Sequence, residues 1–130
     1  AHMIAALCSR LEDRREDVRE AAAVALGRVA KRGDTPAISA LSRRTGDLAK
    51  GVREAVTLAL EELAELGDEQ ATVALIVLLG DSYRDVRETA VKALGQVSRP
   101  GQQRVVRALV GCLQDKTWHV RLAAVQSLSQ

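Results

Sequence analysis

A single spacing of 34 residues recurs along this chain and constrains its fold more than any other feature. Val-Arg pairs keep it at Val18-Arg19, Val52-Arg53, Val86-Arg87 and Val120-Arg121. One aspartate and two leucines of each unit keep it as well, and one glycine does so in three units: Asp13, Asp47, Asp81, Asp115; Leu7, Leu41, Leu75, Leu109; Leu26, Leu60, Leu94, Leu128; Gly33, Gly67, Gly101. Because unrelated positions do not share one period by chance, the 130 residues contain about four copies of one unit.

Each unit contains two segments with helical spacing of apolar residues. In the second segment of the first copy, Val18, Ala22 and Leu26 lie on one side of a helix. First segments are predicted over 35–45 and 69–79, and the glycines at the unit boundaries predict helix ends. Asp34 or Thr35, followed by Pro36, predicts a cap and first turn. Each unit is therefore interpreted as a helix pair, helix A followed by helix B.

A pair of short amphipathic helices cannot bury both apolar sides alone, so the copies are expected to stack into one continuous core. Small residues on helix B favour close contact between neighbouring copies, and the scarcity of aromatic residues, 2% of the chain, fits thin layers. The predicted fold is an all-α solenoid forming one domain. Its copies are expected at about 1–33, 34–67, 68–101 and 102–130, with residues 1–3 interpreted as a cloning remnant.

The unit resembles the HEAT repeat, and particularly the HEAT-like units of phycobilisome lyases. The segments 81–95 and 115–128 carry that pattern, with aspartate in the turn, then Val-Arg, then alanines and Ala-Leu on helix B. The chain departs from it in lacking a proline within helix A and in having Gly51 before a Val-Arg pair. The Trp, Gly-Tyr and Phe pattern of the tetratricopeptide repeat is absent.

The resemblance implies that the repeated aspartates and arginines form a structural ladder between copies rather than a catalytic site. In such a ladder the carboxylate accepts hydrogen bonds from helix B amides and from the arginine of an adjacent copy. The positions that match are Asp13, Arg19, Asp47, Arg53, Asp81, Arg87, Asp115 and Arg121.

No catalytic, cofactor-binding or metal-binding residues are predicted. His119 is expected on the surface at the start of a helix B, and a lone histidine does not form a metal site. The absence of any His-Glu pair sets aside the di-iron chemistry of the HEAT-repeat enzyme deoxyhypusine hydroxylase. Cys8 and Cys112 lie about three copies apart with no CxxC motif, which indicates a reducing, cytoplasmic location. Tyr83 and Trp118 are expected in turns, each packing on its own helix pair.

Residues that differ between copies are the candidates for contact with a partner. By the resemblance, the B helices line the concave surface, and their outward positions form what we call the B-helix face. The predicted partner-binding residues are Glu20, Val24, Lys31, Glu54, Leu58, Glu61, Glu65, Glu88, Lys92, Arg99, Leu122 and Gln126, and the same registers include Gly27, Arg28, Glu62, Gly95, Gln96 and Ser129. Net charge by copy is +2, −2, −1 and +3, so the middle of the chain is acidic.

This pattern predicts a non-catalytic scaffold that binds a protein or peptide on the B-helix face. An acidic centre with exposed aliphatic residues suits a basic or amphipathic segment better than a phosphate backbone, so nucleic acid is an unfavoured partner. The alternatives are an accessory subunit of a phycobilin lyase-like enzyme and a nucleic-acid-binding module like the HEAT-like DNA glycosylases. The longest apolar run, 73–79, is too short to cross a membrane. Neither end carries a polar cap, which suggests self-association or a place in a longer array.

Overall fold

Within residues 2–130, eight helices connected by short turns make up the fold. A computed structural model describes residues 2–130, so Ala1, the first residue of the interpreted cloning remnant, lies outside the described residues. The helices are α1 (His2–Arg10), α2 (Glu16–Val29), α3 (Thr35–Ser42), α4 (Lys50–Leu63), α5 (Glu69–Leu78), α6 (Arg84–Val97), α7 (Gln103–Cys112) and α8 (Trp118–Leu128). Odd-numbered helices are A helices and even-numbered helices are B helices. The prediction of an all-α solenoid of about four stacked helix pairs is confirmed.

The turns between copies have the predicted chemistry. The Asp34 carboxylate accepts a hydrogen bond from the Ala37 amide at 2.9 Å, and Asp68 caps α5 in the same way. Gly33, Gly67 and Gly101 have φ of 84°, 79° and 80°, a conformation that only glycine adopts at little cost. Caps and glycine stops together fix where each helix A begins.

The helices end earlier than the apolar pattern predicts. The α3 helix stops at Ser42 instead of residue 45, because the Arg44 amide donates to the Leu41 carbonyl and tightens the last turn. The α5 helix stops one residue earlier than predicted. The α2 helix ends at Val29, since Ala30 has extended backbone angles.

The repeated leucines form the centre of the core. Leu26, Leu41, Leu60, Leu75 and Leu94 have no exposed area. Leu7 and Leu128, which hold the same registers at the two ends of the stack, are half-buried because a neighbouring copy covers them on one side only. Leu26 in the first copy and Leu109 in the last are 0% and 3% exposed, so burial at each register depends on a copy on one particular side.

The two rows of helices differ in how closely they pack. The B helices contact one another more extensively than the A helices do. A Cβ added to Gly27 would lie 3.2 Å from the Cα of Ala59, so α2 and α4 approach almost to backbone contact. Within residues 2–130, no helix combines the length and the apolar character that crossing a bilayer requires.

Candidate partner-binding face

Arginine and aspartate side chains link each copy to the next. Arg19 donates from Nε and Nη2 to the two carboxylate oxygens of Asp47, at 2.8 and 3.0 Å. Arg53 binds Asp81 and Arg87 binds Asp115 in the same bidentate way. Each arginine also donates to a main-chain carbonyl in its own turn. The ladder thus runs from the arginine of one copy to the aspartate of the following copy.

Asp47 is the most deeply enclosed carboxylate of the ladder. Its side chain has no exposed area, and Arg44 and the Ala49 amide donate to it in addition to Arg19. Burial alone raises the pKa of Asp47, but these hydrogen bonds outweigh that effect and lower the pKa from 3.8 to about 2. Burial and hydrogen bonds from Arg87 and the Thr117 amide act in the same opposing way on Asp115, and its pKa is also lowered. Both carboxylates are therefore charged and engaged in hydrogen bonds, which is typical of a structural role.

A second line of contacts joins the copies at the opposite ends of the B helices, and nothing in the sequence spacing predicts it. The Gly33 amide donates to the Leu63 carbonyl at 2.7 Å, and the Gly67 amide donates to Val97 in the same way. The Glu65 side chain lies over Gly33, and Arg99 lies over Gly67. Two residues of the predicted B-helix face therefore also cover the turn of the preceding copy.

The structure leaves most of the predicted B-helix face accessible. Exposed members are Glu20, Val24, Lys31, Leu58, Glu65, Lys92, Arg99, Leu122 and Gln126. Glu54, Glu61 and Glu88 are half-buried instead of fully outward. Glu88 pairs with Lys92 at 3.0 Å on the same helix, and the Glu20 carboxylate packs against Gly51 of the next copy. The face is thus a mixture of free and locally paired side chains.

Two hollows adjoin on this face, one on each side of the last turns of α4. The first, of about 420 Å³, lies between α2 and α4 with Val24, Leu58 and Glu62 in its lining. The second, of about 290 Å³, lies where α4 meets α6 and is lined by Glu61, Glu62 and Leu66, among others. Glu62, absent from the predicted set of twelve, is the residue common to both hollows.

Each hollow has one arginine in its lining, Arg28 in the first and Arg32 in the second, but within residues 2–130 neither forms an ion pair with the glutamates. Burial and the neighbouring Glu62 carboxylate raise the pKa of Glu61, and Lys92 only partly opposes them. No hydrogen bond to Glu61, Glu62 or Glu65 side chains is found within residues 2–130. This position, near the C-terminus of α4, also carries the negative end of the helix dipole.

The aromatic residues and the histidine are placed partly as predicted. Tyr83 lies in the turn before α6, and its ring centroid is 4.8 Å from the Lys50 ammonium of the preceding copy, so it also packs across copies. Trp118 is the first residue of α8 and stacks on His119, with ring centroids 3.7 Å apart. His119 is half-buried instead of exposed, because Trp118 covers it and Arg84 contacts its Nδ1 at 2.8 Å.

The cysteines are separate thiols at opposite ends of the stack, on α1 and α7. Burial raises the pKa of both Cys8 and Cys112, which lowers the fraction of reactive thiolate. In the part of the chain that the structure describes, no three His, Cys, Asp or Glu side chains are grouped so that they could hold a metal ion.

Comparisons with known proteins identify the repeat. A family model described as "HEAT repeats" matches residues 57–129, and one described as "HEAT repeat" matches residues 3–33. No curated protein matches significantly.

Three of the solved structures with a similar fold are designed or engineered proteins. A designed armadillo repeat protein in complex with the peptide (KR)4 has 20% identity and a TM-score of 0.71, over 94% of this chain and 62% of that chain. Another designed armadillo repeat protein has 21% identity and a TM-score of 0.71, over 95% and 62%. An engineered protein has 18% identity and a TM-score of 0.71, over 98% and 61%. This chain thus spans about three fifths of each, and the likeness at these identities is one of fold. With family matches over more than half of its length, the chain belongs to the HEAT repeat family.

Proposed function

We propose that this chain is a non-catalytic protein-binding scaffold that holds a basic, amphipathic segment of a partner on the B-helix face. The observation that carries the proposal is the pair of adjoining hollows beside α4. Exposed aliphatic side chains, Val24 and Leu58, lie beside three glutamates, Glu61, Glu62 and Glu65. A segment that alternates basic and apolar residues matches both components.

The packing of the two helix rows supports a concave B-helix face. In a curved stack, the row on the inner side has the shorter spacing, and the B helices are the row in closer contact. A concave surface lets an extended segment contact several copies at once. Binding along the row therefore adds small contributions from each helix.

The electrostatics of α4 support a cationic partner. The raised pKa of Glu61 means that its charged form is disfavoured by burial and by Glu62 in the free protein. A lysine or arginine of a bound segment would stabilise the charged form of Glu61. The designed armadillo protein of similar fold is in complex with a peptide of lysine and arginine, which shows that a stacked helical scaffold can hold such a ligand.

Charge reversal tests the proposed face. The peptide (Lys-Arg)4, labelled with a fluorophore, serves as the probe, and its affinity is measured by anisotropy at low and high salt. We expect Glu61→Lys with Glu65→Lys to weaken binding by about tenfold or more, because two attractive contacts become repulsive. Binding by the parent chain should weaken as salt rises.

A matched control variant carries the same change of net charge away from the hollows. Glu12→Lys with Glu16→Lys alters two exposed glutamates at the turn between α1 and α2. This variant should bind within about twofold of the parent if the site, and not total charge, decides affinity. Equal losses in the two variants, or no loss in the first while circular dichroism shows intact helices, would contradict the assigned face.

A further inference from the structure

The two ends of the stack expose surfaces that are buried between copies everywhere else. On the C-terminal end, Val106 is 40% exposed, whereas Ile38 and Thr72 in the same register are 1% and 0% exposed. Val125 is 52% exposed, whereas Ala23, Thr57 and Val91 in its register are fully buried. We call the surface formed by Val106, Val110, Arg121 and Val125 the C-terminal face.

The N-terminal end of the stack exposes residues whose counterparts in the inner copies are buried. Val29 is 44% exposed, whereas Leu63 and Val97 in its register are 1% and 2% exposed. Together with Ala21 and Ala25 it lines a hollow of about 660 Å³ along α2. We call the surface formed by Asp13, Val18, Ala21, Ala25 and Val29 the N-terminal face.

The ladder leaves one complementary charge on each face. Arg121 donates to the Asp115 carbonyl in its own turn, as the other ladder arginines do, but within residues 2–130 no carboxylate accepts from it. Asp13 accepts from Arg10 and from the Arg15 amide, as Asp47 does from Arg44 and Ala49, but no arginine of another copy reaches it in the described chain. Within the described chain, Arg121 therefore lacks a carboxylate partner, and Asp13 lacks an arginine partner from another copy.

The second line of contacts does not extend across a boundary between the two faces, because Gly101 lies in the third copy, one copy before the end of the stack. Asp47 follows Arg19 by 28 residues in the internal ladder. A second molecule placed as the next copy would set its Asp13 in the corresponding position before Arg121.

We propose that this chain binds a second copy of itself head to tail, with the C-terminal face of one molecule on the N-terminal face of the next. The contact reproduces two features of each internal boundary: buried aliphatic side chains and a bidentate Arg-Asp pair. Because the two faces are different and lie at opposite ends, the association is open and continues beyond a dimer. The residues that define the two faces line neither hollow beside α4, although the hollow along α2 shares Val24 and Arg28 with the first of them.

Sedimentation equilibrium of the purified chain tests this proposal. From roughly 10 μM to 1 mM, the weight-average mass should rise from 14.0 kDa past twice that value without a plateau at the dimer. Val125→Arg places a charge in the contact and should hold the mass at that of one chain. Val77→Arg is the matched control, since Val77 is 57% exposed on α5 in the middle of the stack, and it should associate as the parent does.

A charge exchange separates the proposed contact from general apolar association. Arg121→Asp and Asp13→Arg should each reduce association when studied alone, because like charges then meet. An equimolar mixture should restore it, since the carboxylate introduced by the first substitution then faces the guanidinium introduced by the second, and the unaltered ends still match. A parent chain that is monomeric throughout, a closed dimer, or association that survives Val125→Arg would overturn the proposal. Circular dichroism at each step verifies that the variants are folded.

Discussion

Replacement of Asp47 by alanine is expected to lower the free energy of unfolding by about 3–5 kcal/mol. The carboxylate has no exposed area and joins Arg19 of one copy to Arg44 and the Ala49 amide of the next. Its removal leaves the Arg19 guanidinium, whose side chain is only 13% exposed, without its charged partner. Denaturant unfolding followed by circular dichroism measures the loss.

Asp13→Ala is the matched control for this substitution, studied in dilute solution. Asp13 holds the same register and accepts from the following turn in the same way, but its only charged partner within residues 2–130, Arg10, is 56% exposed. We expect a loss of about 1 kcal/mol, the typical contribution of a turn cap with a surface ion pair. Equal losses at the two positions would mean that the bond between copies contributes nothing to stability.

The low pKa of Asp47 makes part of this stabilisation depend on pH. A folded-state pKa of about 2, against an ordinary value of 3.8, means that the charged carboxylate stabilises the folded state fully above about pH 4. That contribution, about 2 kcal/mol, is lost as the pH falls from 3.8 toward 2. The stability difference between the parent chain and Asp47→Asn should therefore shrink between pH 7 and pH 2.5. A constant difference would contradict the assignment.

Leu60→Ala is expected to cost about 3 kcal/mol, within a range of 2–5. Leu60 has no exposed area and lies on α4, which packs against a copy on each side, so the cavity cannot collapse without moving two interfaces. Leu58→Ala, two residues away on the same helix, removes the same atoms from a side chain that is 52% exposed. Its cost in stability should be about 0.5 kcal/mol or less.

Leu58→Ala, the variant with the smaller loss of stability, should show the larger loss of peptide affinity. Leu58 lines the hollow between α2 and α4, so its truncation should weaken binding of (Lys-Arg)4 while the fold persists. Leu60→Ala, measured in conditions where it remains folded, should bind as the parent does. Thermal unfolding and fluorescence anisotropy on the same samples provide both quantities. A loss of stability with Leu58→Ala equal to that with Leu60→Ala would show that Leu58 belongs to the core.

The repeat made the architecture predictable, because each helix pair is determined by local features present in every copy. Leu26, Leu60 and Leu94 are buried in the same way since a following copy packs against each of them. Asp34 and Gly33 mark a helix start and stop through their own backbone chemistry, without help from distant residues. Features of this local kind can be inferred from one sequence.

Contacts between copies were harder to predict where they depend on exact helix separation. The near-contact of Gly27 with Ala59, and the placement of Tyr83 beside Lys50, follow from how far apart neighbouring helices lie. The spacing of 34 residues fixes which positions correspond but not that distance. For the same reason, Glu61 was expected to be outward and is half-buried, and Glu62 was left out of the predicted set although it lines both hollows.

The assignment of the B-helix face is tested most directly by a nuclear magnetic resonance titration of the isotopically labelled chain with unlabelled (Lys-Arg)4. Amide shifts and line broadening should be confined to α2, α4 and α6, with the largest changes from 58 to 65, and should diminish as salt rises. Changes centred on the A helices, on α5 for example, or no saturable changes at any position, would contradict the proposed face.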